Sequence, residues 1–429
     1  MVLGKTLVCT PYLEMPGLAH AKMDLGLYIT GESIMLEYMA ELFDHKTIER
    51  IGDSYIALLE HLATDSGSAA FGANIVGPEE MVLVAHTFQG QLAPEVLKAP
   101  YTLQQIEIMA QQQPNATCLI FEEEVMTYSE VNARANQLAR FLVQRCPGIE
   151  NGESVGLMLE RSFELIISML GVMKAGGAYV PLDPDYPSER LAMYVEDGKM
   201  VAVLVNKRSN VHRATDVISA APTNPLLLDF ESMQPDLVAE STSNLDLEIK
   251  PDQLAYMIFT SGSTGRPKGA MLNHLGMRDT VMGYNDVYDI QQSNVHLLNI
   301  SISFDPHVLE VFCPLSRGAT LVIPRQNGHL DPEYLASIIQ RHTIDTMMLV
   351  VPSVMQMYLS SPSMRDALKV LQQIGIGGEA LPTQLVNNMQ HLMTRNDGVI
   401  NWYGPTECTV QSTNWRCPCP CTENTNWRA

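Results

Sequence analysis

The chain has 429 residues, a length that corresponds to about three ordinary domains. Hydrophobic residues make up 46% and charged residues 17%, which is enough apolar surface for a large core and excludes a disordered composition. The formal charge of −21 argues against nucleic acid or an anionic membrane as the main partner. We interpret this acidic balance as a means of keeping a large protein soluble.

The sequence shows no targeting or membrane segment. Its first residues, MVLGKTLVCTPYLEMPG, lack the sustained apolar stretch and small-residue cleavage site of a signal peptide. Apolar runs such as Leu165–Met173 are too short to cross a membrane. Five of the eight cysteines are scattered in the way expected of thiols in a reducing compartment: Cys9, Cys118, Cys146, Cys313 and Cys408. We therefore expect a cytoplasmic protein without a membrane partner.

Residues 34–62 show apolar positions at helical spacing, which predicts a helical segment near the N-terminus. These positions are Ile48, Ile51, Tyr55, Leu58, Leu59 and Leu62. The stretch that follows, ATDSGSAAFGANIVGPEE, is rich in Gly, Ala and Ser and predicts a linker or a domain edge. We place this linker at residues 67–100.

From about residue 101, short apolar runs alternate with helical patterns. VGLML (155–159) predicts a buried strand, SFELIISMLGVMKA (162–175) a helix, and AYVPL (178–182) a second strand. The unit recurs downstream, with strands predicted at 201–205, 257–259, 319–323 and 346–351 and a helix at 333–342. This alternation indicates an α/β fold of parallel strands and crossover helices, with ligands beyond the carboxyl ends of the strands.

One loop stands out chemically. After the strand that ends at Phe259, the six residues Thr260–Gly265 have no bulky side chain, and Lys268 follows. Glycines let backbone N–H groups converge and hydroxyls add donors, so the loop suits an anion with several oxygens. It is neither a GxxxxGK[ST] loop nor a GxGxxG fingerprint, which argues against P-loop and dinucleotide enzymes. A flexible surface loop is the alternative.

Several motifs resemble those of one family, in its order. FTSGSTGRPKGAMLNH (259–274) resembles the phosphate-binding signature of adenylate-forming enzymes. The others are MTYSEVNARANQLARFL (126–142), LGVMKAGGAYVPLDPDYPSERL (170–191), SFDPHVLEVF (303–312), IGGEAL (376–381) and NWYGPTECTV (401–410). Together they resemble the amino-acid adenylation domain of non-ribosomal peptide synthetases over about residues 101–412. The resemblance implies the large N-terminal subdomain of an adenylate-forming enzyme, with mixed sheets sandwiched by helices.

The resemblance implies an ATP site. The residues expected around its triphosphate are Thr260, Ser261, Gly262, Ser263, Thr264, Gly265 and Lys268. Tyr403 matches the tyrosine that stacks on adenine, and Asn401 the polar residue near its amino group. Gly377, Gly378 and Glu379 match the segment that covers the other face of the base.

The same resemblance implies a Mg²⁺ site. Glu407 matches the metal ligand and Thr406 lies beside the α-phosphate, so Lys268, Thr264, Thr406 and Glu407 form the expected catalytic group. One carboxylate beside a phosphate cradle fits the ligand preference of Mg²⁺. Taken alone, Glu407 would be an ordinary solvated acid.

Asp305 is the residue that discriminates most sharply between substrate classes. In amino-acid-activating relatives, the aspartate of this motif holds the α-ammonium group through a charge-assisted contact. The alternative is that Asp305 caps the helix predicted after it. His307 stands where the family usually has a small residue, so the shape of the pocket next to Asp305 need not follow the family's.

The resemblance also implies a side-chain pocket, lined by Pro306, Leu309, Leu349, Ile374, Ile376, Trp402, Val410 and Gln411. These residues are mostly apolar and carry no charge, so we expect an apolar amino acid as substrate. Each of them could equally be an ordinary core residue.

In the family, the amino-acid carboxylate attacks the α-phosphate of ATP, and the aminoacyl group then passes to a phosphopantetheine thiol on a carrier domain. Residues 24–62 resemble the end of a condensation domain, so we expect its remnant at 1–66 and the adenylation domain at 101–412. The family's lid with its catalytic lysine does not follow residue 412, and we expect this chain alone to be weakly active or inactive. The alternatives are a non-catalytic nucleotide-binding remnant and an acyl-group ligase of the same superfamily.

The last residues, 413–429, match nothing that the resemblance leads us to expect. TNWRC (413–417) recurs as TNWRA (425–429) around a CxCxC pattern formed by Cys417, Cys419 and Cys421. Such a pattern could bind a soft metal, but without His or a second CxxC pair it is poor evidence for a metal site. A disordered end without regular structure is the simpler expectation.

Overall fold

The computed structural model describes residues 25–30, 33–40, 42–64, 74–77, 81–82, 98–206, 208–261, 266–395 and 397–418. The chain divides into two compact units, residues 1–97 and 98–429, and the division falls inside the segment expected to be a linker. In the described part of the chain, no helix combines the length and the apolar character needed to cross a membrane.

The first unit contains a hairpin and a helix. Strands β1 (Leu25–Thr30) and β2 (Ser33–Tyr38) pair antiparallel, and helix α1 (His45–Thr64) follows them. Asp44 accepts a hydrogen bond from the Thr47 backbone N–H at 3.0 Å, which satisfies one of the unpaired donors of the first helical turn. The predicted helix is therefore confirmed within residues 45–64, but the residues expected to begin it form strand β2.

The second unit contains the remaining strands that the structure describes. They are β3 (Thr117–Phe121), β4 (Glu124–Thr127), β5 (Ser154–Met158), β6 (Ala178–Pro181), β7 (Ala202–Val205), β8 (Leu226–Asp229), β9 (Leu254–Thr260), β10 (Lys268–Asn273), β11 (Val295–Leu297), β12 (Thr320–Ile323), β13 (Thr346–Val350), β14 (Gln373–Gly377), β15 (Val399–Tyr403) and β16 (Thr413–Arg416).

Its helices alternate with these strands along most of the unit. They are α2 (Thr102–Gln112), α3 (Tyr128–Arg145), α4 (Phe163–Lys174), α5 (Ser188–Asp197), α6 (Arg208–Ala220), α7 (Phe230–Ala239), α8 (His274–Val287), α9 (His307–Arg317), α10 (Pro332–His342), α11 (Pro352–Ser360), α12 (Pro362–Ala367) and α13 (Thr383–Leu392).

The strands form two sheets. One has the order β10-β9-β6-β5-β7-β8, and the other β16-β15-β14-β13-β11-β12-β3-β4. Neighbours within each sheet are parallel, except for the antiparallel edge pairs β9–β10, β15–β16 and β3–β4. Parallel strands joined by helices are buried on both faces, and β5 and β13 accordingly have all their residues buried.

The buried apolar residues that the structure describes in the second unit form three clusters. The largest contains residues of both sheets and of helices α3, α4 and α9, as in a sandwich of layers around one core. A second cluster covers the outer face of the eight-stranded sheet with helices α10–α13, and a third covers the six-stranded sheet with α5 and α6. The α/β architecture expected from the sequence is confirmed.

The end of the chain differs from the expectation. Strand β16 pairs antiparallel with β15, and the Arg416 guanidinium donates to the backbone carbonyl of Val287 at 2.8 Å. Cys417 is buried and its N–H donates to the Val399 carbonyl at 2.8 Å. The prediction that regular structure ends at residue 412 is therefore wrong as far as Cys417. The sequence did not predict strand β16, because four residues at the edge of a sheet are too few to show the alternation typical of a strand.

Gly375, in the interior of β14, has no room for a side chain. A Cβ atom there would collide with the Met348 carbonyl and the Tyr288 hydroxyl, both held by the surrounding core. We expect Gly375→Ala to destabilise the second unit by about 1–3 kcal/mol, the usual cost of overpacking. Thermal and urea unfolding followed by circular dichroism would measure this.

The matched control is Gly283→Ala in helix α8, where a Cβ has no described heavy atom within 4 Å. This change should be neutral or stabilise the protein by up to about 1 kcal/mol, because alanine restricts the unfolded chain and favours the helix. Equal stability of the two variants would contradict the packing described for β14.

Candidate active site

The candidate site lies at the carboxyl ends of parallel strands, as expected for an α/β fold. Strands β14 and β15 end at Gly377 and Tyr403, and the loop after β11 carries Asp305. The 3-10 turn Thr406–Cys408 lies against strand β10, which begins at Lys268. The structure thus brings the motif after β15 to the hairpin that holds the Ser/Thr/Gly loop.

Asp305 is a buried carboxylic acid. Its side chain is 9% exposed, and its Oδ2 atom has no hydrogen-bond partner among the described residues. Burial raises the pKa of Asp305 to about 6, and the negative charge of Glu407 adds to this rise, while the Thr406 side chain lowers the pKa. A buried acceptor without a partner is costly and marks a site where a ligand donor would be stabilising.

The alternative of a helix cap is not supported. Helix α9 begins at His307, and its cap position is occupied by Pro306, whose side chain carries no acceptor. Asp305 precedes the cap position, so its carboxylate is not used to satisfy the first turn of the helix.

The turn that carries Thr406 and Glu407 is strained. Thr409 and Val410 follow it with φ angles of 59° and 73°, in the left-handed region that β-branched residues rarely adopt. The Thr280 hydroxyl donates to the Thr409 carbonyl at 3.3 Å from helix α8. Such strain costs on the order of 1–3 kcal/mol per residue and persists where the surroundings determine the backbone, often at functional sites.

Four of the predicted pocket residues lie together in the central core cluster: Leu309, Leu349, Trp402 and Val410. The Trp402 indole N–H donates to the Tyr288 hydroxyl at 3.0 Å, and its ring lies 5.2 Å from that of Tyr284. Pro306 is half-buried at the start of α9, and the Gln411 amide donates to the Thr413 carbonyl.

Ile374 and Ile376 do not join this group. They belong to the cluster on the outer face of the eight-stranded sheet, because alternate residues of β14 point to opposite faces. The residues of β14 on the inner face next to the predicted pocket residues are instead Gly375 and Gly377: a Cβ at Gly375 would lie 2.5 Å from the Trp402 Nε1, and one at Gly377 would lie 3.3 Å from the Leu349 Cδ1. The two isoleucines are therefore wrong as pocket residues, and the alternation of the strand could have shown this.

The predicted nucleotide residues are partly described. Thr260 and Lys268 pair across β9 and β10, with Lys268 exposed, and Ser261 is exposed. Arg266, just after the loop, binds Asp197 through Nη2 at 2.6 Å and Nε at 3.0 Å. The remaining loop residues, Gly262, Ser263, Thr264 and Gly265, lie outside the described residues.

In the segment that follows β14, Gly378 has a φ of 82°, a backbone conformation that favours glycine. The Glu379 carboxylate accepts hydrogen bonds from the Ser353 N–H at 3.0 Å and its hydroxyl at 2.8 Å, which fixes this segment at the start of α11. Tyr403, at the end of β15, is 69% exposed, and Asn401 is half-buried on the same strand. An exposed tyrosine ring at a strand terminus is suited to stacking on a base.

Glu407 is exposed, so a metal ion bound there would take its remaining ligands from phosphate oxygens and water. Within the described ranges, no group of three His, Cys, Asp or Glu side chains is placed to hold a metal ion. Cys417 is buried, and the other two cysteines of the tail pattern, Cys419 and Cys421, lie outside the described residues.

Comparisons with known proteins identify the family of this chain. The profile of the AMP-binding enzyme family matches residues 106–428, beyond the boundary we placed at 412. Tyrocidine synthase 3 of Brevibacillus parabrevis is 34% identical over 412 residues, which are 95% of this chain and 6% of that protein. Gramicidin S synthase 2 of Brevibacillus brevis is 31% identical over 96% of this chain and 9% of its own length.

Among solved structures, the non-ribosomal peptide synthetase FmoA3 in its α-methyl-L-serine-AMP-bound form superposes with a TM-score of 0.75 at 22% identity. The match covers 94% of this chain and 44% of FmoA3. At this identity the likeness concerns the fold.

The chain belongs to the AMP-binding enzyme family of adenylate-forming ligases. Within that family, it is an adenylation domain of the kind found in non-ribosomal peptide synthetases. It spans about a tenth or less of the length of the peptide synthetases that it matches.

The pKa of Asp305 is about 6 in the folded protein and near 3.8 in the unfolded chain, so the folded protein binds the carboxyl proton more tightly than the unfolded chain does. The free-energy cost of charging the buried carboxylate is therefore complete above about pH 6, and it decreases to near zero as the pH falls toward 4. We expect Asp305→Asn to raise the free energy of unfolding by about 1–3 kcal/mol at pH 7.5, with a much smaller gain at pH 4.5.

Urea unfolding of both proteins at the two pH values measures this difference. Asp286→Asn, an exposed aspartate of α8 that pairs with Arg317 at 3.0 Å, is the matched control and should change stability by less than about 0.5 kcal/mol at either pH. A gain for Asp305→Asn that is the same at both pH values would contradict the raised pKa.

Proposed function

We propose that this chain activates an amino acid as its aminoacyl-adenylate, using ATP and Mg²⁺, within a non-ribosomal peptide synthetase. One observation carries the amino-acid part of the proposal. Asp305 is a buried carboxylate whose Oδ2 finds no partner in the described part of the chain, beside the turn that carries Thr406 and Glu407. An α-ammonium group would supply both the missing hydrogen-bond donor and the opposite charge.

The nucleotide part rests on groups around the same strand ends. Tyr403 offers an exposed ring for adenine, with Asn401 on its strand, and Gly377, Gly378 and Glu379 form a backbone segment braced by Ser353. Lys268 supplies a compact positive charge for the phosphates beside Thr260, Ser261 and the loop residues Gly262–Gly265. Glu407 would hold Mg²⁺, which offsets phosphate charge.

The reaction joins these two parts. An oxygen of the amino-acid carboxylate attacks the α-phosphorus, a new P–O bond forms, and the bond to the β-phosphate oxygen breaks as pyrophosphate leaves. Asp305 holds the amino group, so the carboxylate is placed relative to the α-phosphate by a fixed distance. Thr406 lies next to both Asp305 and Glu407, where its hydroxyl can donate to an α-phosphate oxygen as charge develops.

The side chain of the substrate would be apolar. Leu309, Leu349, Trp402 and Val410 lie in one apolar cluster next to the helix that Asp305 precedes. Trp402 also occupies the space above Gly375 and is fixed by Tyr288, so this wall of the pocket is bulky and rigid. An uncharged, apolar side chain is the substrate class that such a lining favours.

The assembly context follows from the relatives. We propose that residues 1–66 end a condensation domain, that 67–100 form a linker, and that the aminoacyl group passes to the phosphopantetheine thiol of a carrier domain. The 95% coverage of this chain by tyrocidine synthase 3 supports a synthetase origin for the N-terminal part as well. We also propose a cytoplasmic location.

The test is amino-acid-dependent exchange of labelled pyrophosphate into ATP, measured with the standard amino acids and with fatty and aryl acids that lack an α-amino group. We expect weak exchange from this chain alone, and with apolar amino acids only. Asp305→Ala should reduce it by at least about 100-fold, because the ammonium then loses a charge-assisted contact. ATP binding measured by calorimetry should be unchanged in the variant.

Asp286→Ala, which removes an exposed carboxylate of α8, is the control for a change of charge and should leave exchange unaltered. Exchange with fatty or aryl acids would instead identify an acyl-group ligase. ATP binding without exchange for any acid would contradict activation and leave a nucleotide-binding protein.

A further inference from the structure

His307, the first residue of helix α9, is fully buried and uses both ring nitrogens. Its Nδ1 lies 2.7 Å from the Phe304 carbonyl oxygen, and its Nε2 lies 2.8 Å from the Tyr179 hydroxyl. A carbonyl oxygen can only accept, so Nδ1 carries the proton and Nε2 accepts the hydrogen bond from Tyr179. Burial lowers the pKa of His307 to about 4, and the ring is neutral in the working pH range.

Tyr179 is itself fixed by the core. It lies on strand β6, is fully buried, and stacks on Tyr256 with ring centroids 5.6 Å apart. Phe312, on the same helix as His307, lies 6.4 Å from the Tyr179 ring. The hydroxyl that binds His307 therefore belongs to a side chain with little freedom to move.

The other end of this connection is the backbone next to Asp305. The Phe304 carbonyl accepts from the His307 ring and from the His307 backbone N–H at 3.2 Å, while the Phe304 N–H donates to the Ser301 carbonyl at 3.1 Å. Phe304 itself is 56% exposed, so its side chain does little to anchor the turn. The path from Tyr179 through His307 to the Phe304 carbonyl is thus one link between this turn and the six-stranded sheet. A second link is the hydrogen bond that the Ser301 hydroxyl donates to the Asp183 carboxylate, just after β6, at 3.3 Å.

We propose that His307 and Tyr179 are positioning residues that fix the direction of the Asp305 carboxylate for the α-ammonium group of the substrate. The proposal rests on the function proposed above. A charge-assisted hydrogen bond weakens steeply when its angle departs from linear. A rotation of the 301–306 turn would therefore weaken ammonium binding without touching the nucleotide residues, which lie on other loops.

The geometry can be tested without any activity. In the full chain labelled with ¹⁵N-histidine, NMR should show one histidine with a protonated Nδ1 and a bare Nε2, unchanged from about pH 5.5 to 8, and His307→Asn should remove this signal. A protonated Nε2, or titration of the His307 signal in this range, would overturn the proposal.

The role in positioning needs a readout specific for the ammonium group. Two probes differ only in that group: the sulfamoyl-adenosine analogue of leucyl-adenylate and the same compound made with 4-methylpentanoic acid. For the wild-type chain, the first should bind at least about tenfold more tightly by calorimetry, and Asp305→Asn should reduce this ratio to near one. The ratio cancels contributions from the nucleotide and from the leucine side chain.

We expect His307→Ala to lower the ratio at least about threefold, and Tyr179→Phe, which removes a single oxygen, to lower it in the same direction by less. His307→Asn, whose shorter side chain keeps a donor for the Phe304 carbonyl, should restore part of the ratio. Because Tyr179→Phe preserves packing, the affinity ratio of this variant tests the positioning role even if His307→Ala is poorly folded.

The outcomes separate the two proposals. A wild-type ratio near one would overturn the proposed function and, with it, this role for His307. A high wild-type ratio that persists in Tyr179→Phe, and in His307→Ala where that variant folds, would overturn the positioning role alone and leave the proposed function standing.

Discussion

Burying the Asp305 carboxylate costs free energy, since a charged group loses its hydration and its Oδ2 gains no partner among the residues that the structure describes. A pKa raised to about 6 is the direct sign of that cost. The surrounding structure keeps the group in place through the loop after β11, the start of α9 and the turn that carries Thr406. If an ammonium group binds there, the same burial becomes favourable, because a charge-assisted hydrogen bond is stronger in a desolvated site than in water.

Two rigid supports converge on this carboxylate. From the six-stranded sheet, Tyr179 reaches it through His307 and the Phe304 carbonyl. From the eight-stranded sheet, β15 leads into the turn at Thr406, which is followed by two residues with positive φ. The site that we propose for the amino acid thus draws on both sheets of the sandwich, and each sheet supports a different side of it.

Much of the fold could be predicted because its strands and helices carry strong local patterns. VGLML at 155–159 corresponds to β5, and the helix predicted at 162–175 to α4. The pocket was harder to predict, because a one-residue error along a strand exchanges its two faces, and the resemblance pointed to Ile374 and Ile376 rather than to Gly375 and Gly377. The link from His307 to Tyr179 joins residues 128 positions apart, which no local pattern encodes.

The proposed site depends on one contact, that of the Asp305 carboxylate with the amino group of an amino-acid substrate. A crystal structure of the chain with the leucyl sulfamoyl-adenosine analogue tests it most directly. We expect the α-nitrogen to lie about 3 Å from the Asp305 Oδ2, with the adenine against Tyr403 and the leucine side chain toward Trp402. An α-nitrogen bound elsewhere, with the Asp305 carboxylate still buried and unengaged, would contradict it.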